Sequence, residues 1–267
     1  MKTPIGHVRL LGPPQALVGM KVWVFSDDKR YQLLAYLAFK GGWVGREQLA
    51  YLFWSEVPTS NARKNLRHLL GRVRGLGALT EGLEIEAERL RWEVQTDARD
   101  FLQAMEEACW ERALGLYTGA LLEGFGTDES PEFSAWLTAE RERLEGCWRT
   151  ASFQQAEALQ EAGQPLAAAW LLGRLLERDP LDEEALKGYL LAAVRGGQRR
   201  LALRAYEVFS QRLLVELDLH PPVALEQIAQ AIRSDDSSLL AAVPTPRPEA
   251  STGQGHPLPI PATPFMG

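Results

Sequence analysis

The feature that most constrains this chain is a self-similarity at an offset of 34 residues in its second half. Gly163-Gln164 recurs as Gly197-Gln198, Ala168 as Ala202, Leu172 as Tyr206 and Leu175 as Phe209. A period of that length, carried by apolar residues at helical spacing, belongs to solenoids whose repeat is a hairpin of two helices. One hairpin cannot bury its apolar face alone, so copies must stack. Small alanines let the paired helices approach closely, and Pro180 falls where the second helix of a repeat should end. Ala113 and Tyr117 keep the four-residue spacing of Ala202 and Tyr206, which marks the stretch ERALGLY as a degenerate third copy.

The first part of the chain obeys a different pattern. VRLLG from Val8, ALV from Ala16 and KVWVF from Lys21 read as short strands, punctuated by Gly12-Pro13-Pro14 and Gly19. From Arg30 the spacing turns helical through Leu33, Leu34, Leu37 and Ala38, and Gly41-Gly42 stops it. A second helix opens at Arg46, with Leu49, Leu52 and Phe53 facing inward, and Pro58 breaks the segment after it. A third runs from near Ser60, a residue type favoured as an N-cap, to about Arg74. LEIEAERLRWEV then alternates on both sides of Glu88-Arg89 as a β-hairpin does. Strands, three helices and a hairpin, in that order, make a winged helix.

The expected architecture is mainly α: an N-terminal winged helix-turn-helix with small β-sheets over residues 1–95, then an all-α tetratricopeptide-like helical-repeat domain over 97–233. Residues 234–267 are expected to be a disordered tail or a linker, since there are seven prolines in the last 24 residues and little to bury.

The net charge of -6 conceals an asymmetry. Residues 1–96 carry fourteen Lys and Arg against nine Asp and Glu, a net of +5, whereas residues 97–267 carry fifteen against 26, a net of -11. A basic head on an acidic body fits an anionic partner for the head. The charge concentrates on the third helix, where five Lys and Arg and no acid lie between Thr59 and Gly75. On a wheel of 100° per residue, Ala62, Leu66, Leu69, Leu70 and Val73 share one side. Ser60, Arg63, Lys64, Arg67, His68, Gly71 and Arg74 lie opposite. A solvated helix face mixes both signs for support at i,i+4, and this one does not.

An unrelieved cationic face following a helix and a tight turn suits the DNA major groove. Arg and Lys neutralise phosphates or donate to guanine, and Asn pairs with adenine. The candidate DNA-contacting residues are Ser60, Asn61, Arg63, Lys64, Arg67, His68, Arg72 and Arg74, with Arg89 from the hairpin. Asn65 sits at the margin of the apolar side. Glu84, Glu86, Glu88 and Glu93 would repel phosphate, which leaves Arg89, with Arg91 second to it, as the wing contact. Trp92 alternates in phase with Leu90 and Val94 and is expected in the core.

No catalytic set is visible. His7, His68, His220 and His256 are far apart in sequence, and neither a phosphate-binding GxxxxGK[ST] loop nor a GxSxG nucleophile elbow occurs. No cofactor or metal is expected. Trp110, Trp136, Trp148 and Trp170 suit a helical-repeat core, and Cys109 and Cys147, without CxxC or nearby His, are expected to be reduced structural thiols. Neither a membrane-length apolar run nor a signal-peptide core appears, so the chain is expected in the cytoplasm, at the nucleoid.

Several stretches in this order resemble the SARP family of bacterial activators, which joins an OmpR-type winged helix to a bacterial transcriptional activation domain. They are RLLGPPQA, KRYQLLAYLA, VGREQLAYLFW, the basic helix from Asn61-Ala62-Arg63 to Val73-Arg74, DARDF, ERALGLYTGALLEGF, EFSAWLTAERERL and RDPLDEEAL. The resemblance covers residues 7–233. It implies a sequence-specific transcriptional activator that binds promoter direct repeats as side-by-side pairs and helps RNA polymerase engage. Arg63 to Arg74 would be its recognition helix, and the acidic repeats would self-associate or contact the polymerase. The chain departs from the family in its acidic wing and proline-rich end. The competing reading is a helical-repeat protein-interaction scaffold whose winged helix is a docking module, since winged helices sometimes bind proteins.

Overall fold

A computed structural model describes residues 5–126 and 130–234. The expectation for the proline-rich segment therefore lies outside the described residues.

Three strands, β1 (Ile5–Arg9), β2 (Gln15–Val18) and β3 (Lys21–Val24), form an antiparallel meander. Helix α1 (Lys29–Lys40) follows, capped by the Asp28 carboxylate, which accepts from the Arg30 N–H at 2.8 Å. A two-residue strand β4 (Val44–Gly45) leads into α2 (Arg46–Trp54), a turn, and α3 (Thr59–Arg74). Strands β5 (Leu83–Ile85) and β6 (Arg89–Trp92) make the hairpin, with Leu83 opposite Trp92 and Ile85 opposite Leu90. Strand β4 joins β6 on its other edge, giving the order β4-β6-β5. The parts are those of a winged helix-turn-helix. Trp92 is fully buried and its indole N–H donates to the Glu81 carbonyl.

Helices α4 (Asp97–Glu106), α5 (Trp110–Leu116), α6 (Pro131–Glu161), α7 (Pro165–Arg178), α8 (Glu183–Arg195), α9 (Arg199–Leu217) and α10 (Val223–Ser234) complete the described chain. The 34-residue offset is a real structural period. Gly163 and Gly197 hold φ of 72° and 74°, the left-handed region that costs glycine least. One residue later, the N–H groups of Gln164 and Gln198 donate to the carbonyls of Leu159 and Ala193, both at 2.8 Å. Ala168 and Ala202 are wholly buried where the helices cross.

The degenerate copy has the same build. Ala108 takes φ of 54° in the glycine position, and the Cys109 N–H reaches the Ala104 carbonyl at 2.8 Å. Ala113 and Tyr117 then stand five and nine residues past Ala108, as Ala168 and Leu172 do past Gly163, and both are buried.

Winged helix and repeats share one continuous core. The Asp97 carboxylate, 4% exposed, accepts the N–H groups of Leu10 at 2.7 Å and Leu11 at 3.2 Å. The Val8 N–H donates to the Gln95 carbonyl and the Leu122 N–H to the Leu10 carbonyl. On the other side α6 packs on α1 and α2: Trp136 meets Tyr36 edge-on at 4.7 Å, and Phe133 stacks on Phe53 at 5.4 Å. The first turn of α6 is thus seated on the helix-turn-helix itself.

Candidate nucleic-acid interface

Helix α3 is held by its apolar stripe. Ala62, Leu66, Leu69, Leu70 and Val73 are all buried, against α1 and α2. That stripe leaves Ser60, Arg63, Lys64, Arg67, His68 and Arg74 exposed, as the wheel requires, with Asn61 and Arg72 exposed on the flank beside the half-buried Asn65. One local expectation fails: Ser60 is not the N-cap. Pro58 precedes the helix, and its carbonyl accepts from the Asn61 and Ala62 N–H groups at 2.8 and 3.0 Å, so Ser60 lies exposed within the first turn. Proline cannot donate an N–H and has φ near the helical value, which suits it to a helix entrance.

The cations on this face are not equivalent. Arg63 is paired with Glu47 at the start of α2, although both side chains are more than half exposed. Lys64, Arg67, His68, Arg72 and Arg74 meet no acceptor among the described residues. Four positive side chains and a histidine therefore keep their full hydrogen-bonding capacity for an anion in solution. A surface ion pair such as Arg63 with Glu47 is worth at most about 1 kcal/mol, so a phosphate can displace it.

The wing carries a feature that periodicity did not reveal. Trp43, just before β4, has the Arg89 guanidinium 4.3 Å from its ring centre and that of Arg91 at 4.7 Å. Carboxylates secure both arginines: Glu86 holds Arg89 at 2.7 Å, while Glu84 and Glu93 hold Arg91 at 2.8 and 3.4 Å. Three of the four wing glutamates are therefore paired, and Arg89, half exposed at the hairpin tip, is pre-positioned rather than free. Wing and helix-turn-helix are also coupled through the backbone, since the Arg46 N–H opening α2 donates to the Glu88 carbonyl. The clue in the sequence was an aromatic residue before a strand facing two alternate arginines, a contact only the β4-β6 pairing creates.

Two further expectations need correction. Trp170 is 66% exposed on the outer side of α7, with Arg174 stacked over it, so it is not a core residue. Cys109 is exposed and Cys147 half-buried; both are free thiols, but only Cys147 packs against the core. Burial pushes the Cys147 thiol above its ordinary range. Among the described residues no group of His, Cys, Asp and Glu could hold a metal ion, and no helix is long and apolar enough to cross a membrane.

Fold and surface define a winged helix-turn-helix fused to helical repeats. The sequence matches the bacterial transcriptional activator domain over residues 84–233. The chain belongs to that family. It is 28% identical over 272 residues to the regulatory protein AfsR of Streptomyces griseus, a match covering 97% of this chain but 28% of that protein. The structure of Mycobacterium tuberculosis EmbR, solved in complex with a low affinity phosphopeptide, has the same fold, with a TM-score of 0.60 at 22% identity. That likeness covers 86% of this chain and 65% of EmbR. The chain thus spans well under a third of the length of AfsR and about two thirds of EmbR.

Proposed function

We propose that this activator binds double-stranded promoter DNA through the exposed face of α3, with Arg89 of the wing as a secondary contact. The observation that carries the proposal is the segregation on α3: five side chains with unused donors on one side, an unbroken apolar stripe on the other. Phosphates reward the cations without regard to sequence, and Asn61, Arg67 or Arg72 at base edges supply the discrimination. The helix is anchored to α1 and α2 and, through them, to α6, so the repeats are carried in a fixed position relative to the DNA. From there they can contact RNA polymerase and a second protomer bound in the same orientation. No catalysis is invoked.

DNA cross-linked to the protein in cells, once sequenced, should yield direct repeats whose centres lie one helical turn apart, about 10–10.5 base pairs. Inserting half a turn between them should abolish cooperative binding while single-site affinity is kept. Equal cooperativity at both spacings would contradict paired binding, and failure to recover any recurrent sequence would favour a protein-docking role for the winged helix.

A further inference from the structure

The acidic half of the molecule carries an open apolar cleft edged by arginines. Between α7 and α9 lies an open cavity of about 370 Å³, floored by Tyr189 of α8 and walled by Leu176, Leu201, Val208 and Phe209. Leu201 and Val208 are 50% and 51% exposed. They belong to a row of α9, Leu201, Ala205, Val208, Arg212 and Val215, whose spacing alternates four and three residues. Isolated exposed apolar residues are ordinary, but a row at helical spacing beside a cleft is the geometry that accepts another helix.

The charge on the cleft is asymmetric. Arg204 and Arg212 line the α9 wall and Glu177 the α7 wall, and none of the three has an ion pair among the described residues. Two arginines against one carboxylate give the cleft a net positive lining, in a half of the chain whose net charge is -11. The backbone groups of α7, α8 and α9 are committed within their helices, so no strand edge is offered and recognition must come from side chains. A second copy docked groove to groove would bring one carboxylate, Glu177, against two arginines. A separate acidic chain matches the wall better.

We propose that the α7–α9 cleft is a docking groove for an acidic amphipathic helix of a partner protein. Arg204 and Arg212 are eight residues apart on α9, about 12 Å along the axis, so the docked helix presents carboxylates seven or eight residues apart along one edge. Apolar residues between those carboxylates, at i, i+4 and i+7, fill the cleft against Leu201, Val208 and Tyr189. Glu177 sets the orientation by excluding an acidic edge from the α7 side. The proposal is independent of DNA contact by α3.

The probe is a fluorescein-labelled synthetic helix with two glutamates seven residues apart and leucines in the adjoining i, i+4, i+7 row, titrated into the full chain and followed by anisotropy. Saturable binding is expected, weakened at least tenfold by Arg204→Glu with Arg212→Glu. A peptide with lysines replacing the glutamates should ignore the wild-type protein and bind that double variant. Val208→Asp should abolish binding of the glutamate peptide. All three side chains are exposed, so the fold should persist, and an unaltered melting curve of each variant by circular dichroism checks that it does. Absence of saturable binding, or equal binding of either peptide, would overturn the proposal. Self-association lost in Val208→Asp would assign the cleft to a second copy. Binding that appears only after removal of residues 235–267 would assign it to the chain's own segment.

Discussion

Replacing Asp97 with alanine removes the clasp between the winged helix and the repeats. Its two carboxylate oxygens accept the N–H groups of Leu10 and Leu11, two residues that are wholly buried, and also that of Ala98. With the carboxylate gone the first two donors lose their acceptor in a buried site. A buried donor left unsatisfied costs about 1–3 kcal/mol, so Asp97→Ala should destabilise the protein by roughly 2–6 kcal/mol. Urea denaturation at neutral pH measures this, followed both by tryptophan fluorescence, through the buried Trp92 and Trp148, and by far-ultraviolet circular dichroism. Because the two parts share one core, the wild-type transitions should coincide by both probes; the variant should unfold at lower urea and the two curves should separate. A loss below about 1 kcal/mol would mean that these N–H groups are not dependent on Asp97.

Three other outcomes follow from the repeats. Ala202→Arg forces a long cation into a fully buried helix crossing and should cost about 3 kcal/mol or more, read as a marked fall in melting temperature. Ala108→Gly relieves an L-residue held at φ of 54° and should stabilise the protein by about 0.5–1 kcal/mol in the same denaturation assay; a loss would refute its equivalence to Gly163 and Gly197. In a thiol titration with an aromatic disulfide reagent at neutral pH, Cys109 should react quickly and Cys147 slowly, since Cys147 is half-buried and its thiol is raised by burial; Cys109→Ser should remove the fast phase alone.

The parts of this fold written in local periodicity were legible before any coordinates. On α3, burial follows the wheel at every apolar position because a single helix must choose one face to bury. The repeat was legible for a related reason: Gly163 and Gly197 mark turns that need a left-handed residue, and Ala168 and Ala202 mark close crossings. Ala113 and Tyr117 revealed the third copy even though its turn residue is Ala108. Contacts that join distant segments were not legible. The bonds from Asp97 span 86 and 87 residues, and nothing near Asp97 in sequence announces Leu10 or Leu11 as its partners. The Trp43 stack likewise depends on which strand β4 pairs with. Trp170 misled because a tryptophan in an apolar helix suggests core, whereas α7 turns that side of itself outward.

The decisive measurement concerns Lys64 and Arg67, adjacent on the exposed face of α3 and without acceptors among the described residues. Lys64→Ala with Arg67→Ala opens no cavity, so the melting temperature should hold while affinity for the cross-linked promoter fragment falls. If both side chains meet phosphates, each contributes about 0.9 to the slope of log affinity against log salt, and the double variant should lose about 1.8 from it. If Arg67 instead reads a guanine, the cost should be roughly 1–3 kcal/mol on the promoter and little on random DNA. A folded double variant that binds promoter DNA with wild-type affinity and an unchanged salt slope would contradict the assignment of α3 as the DNA-binding helix.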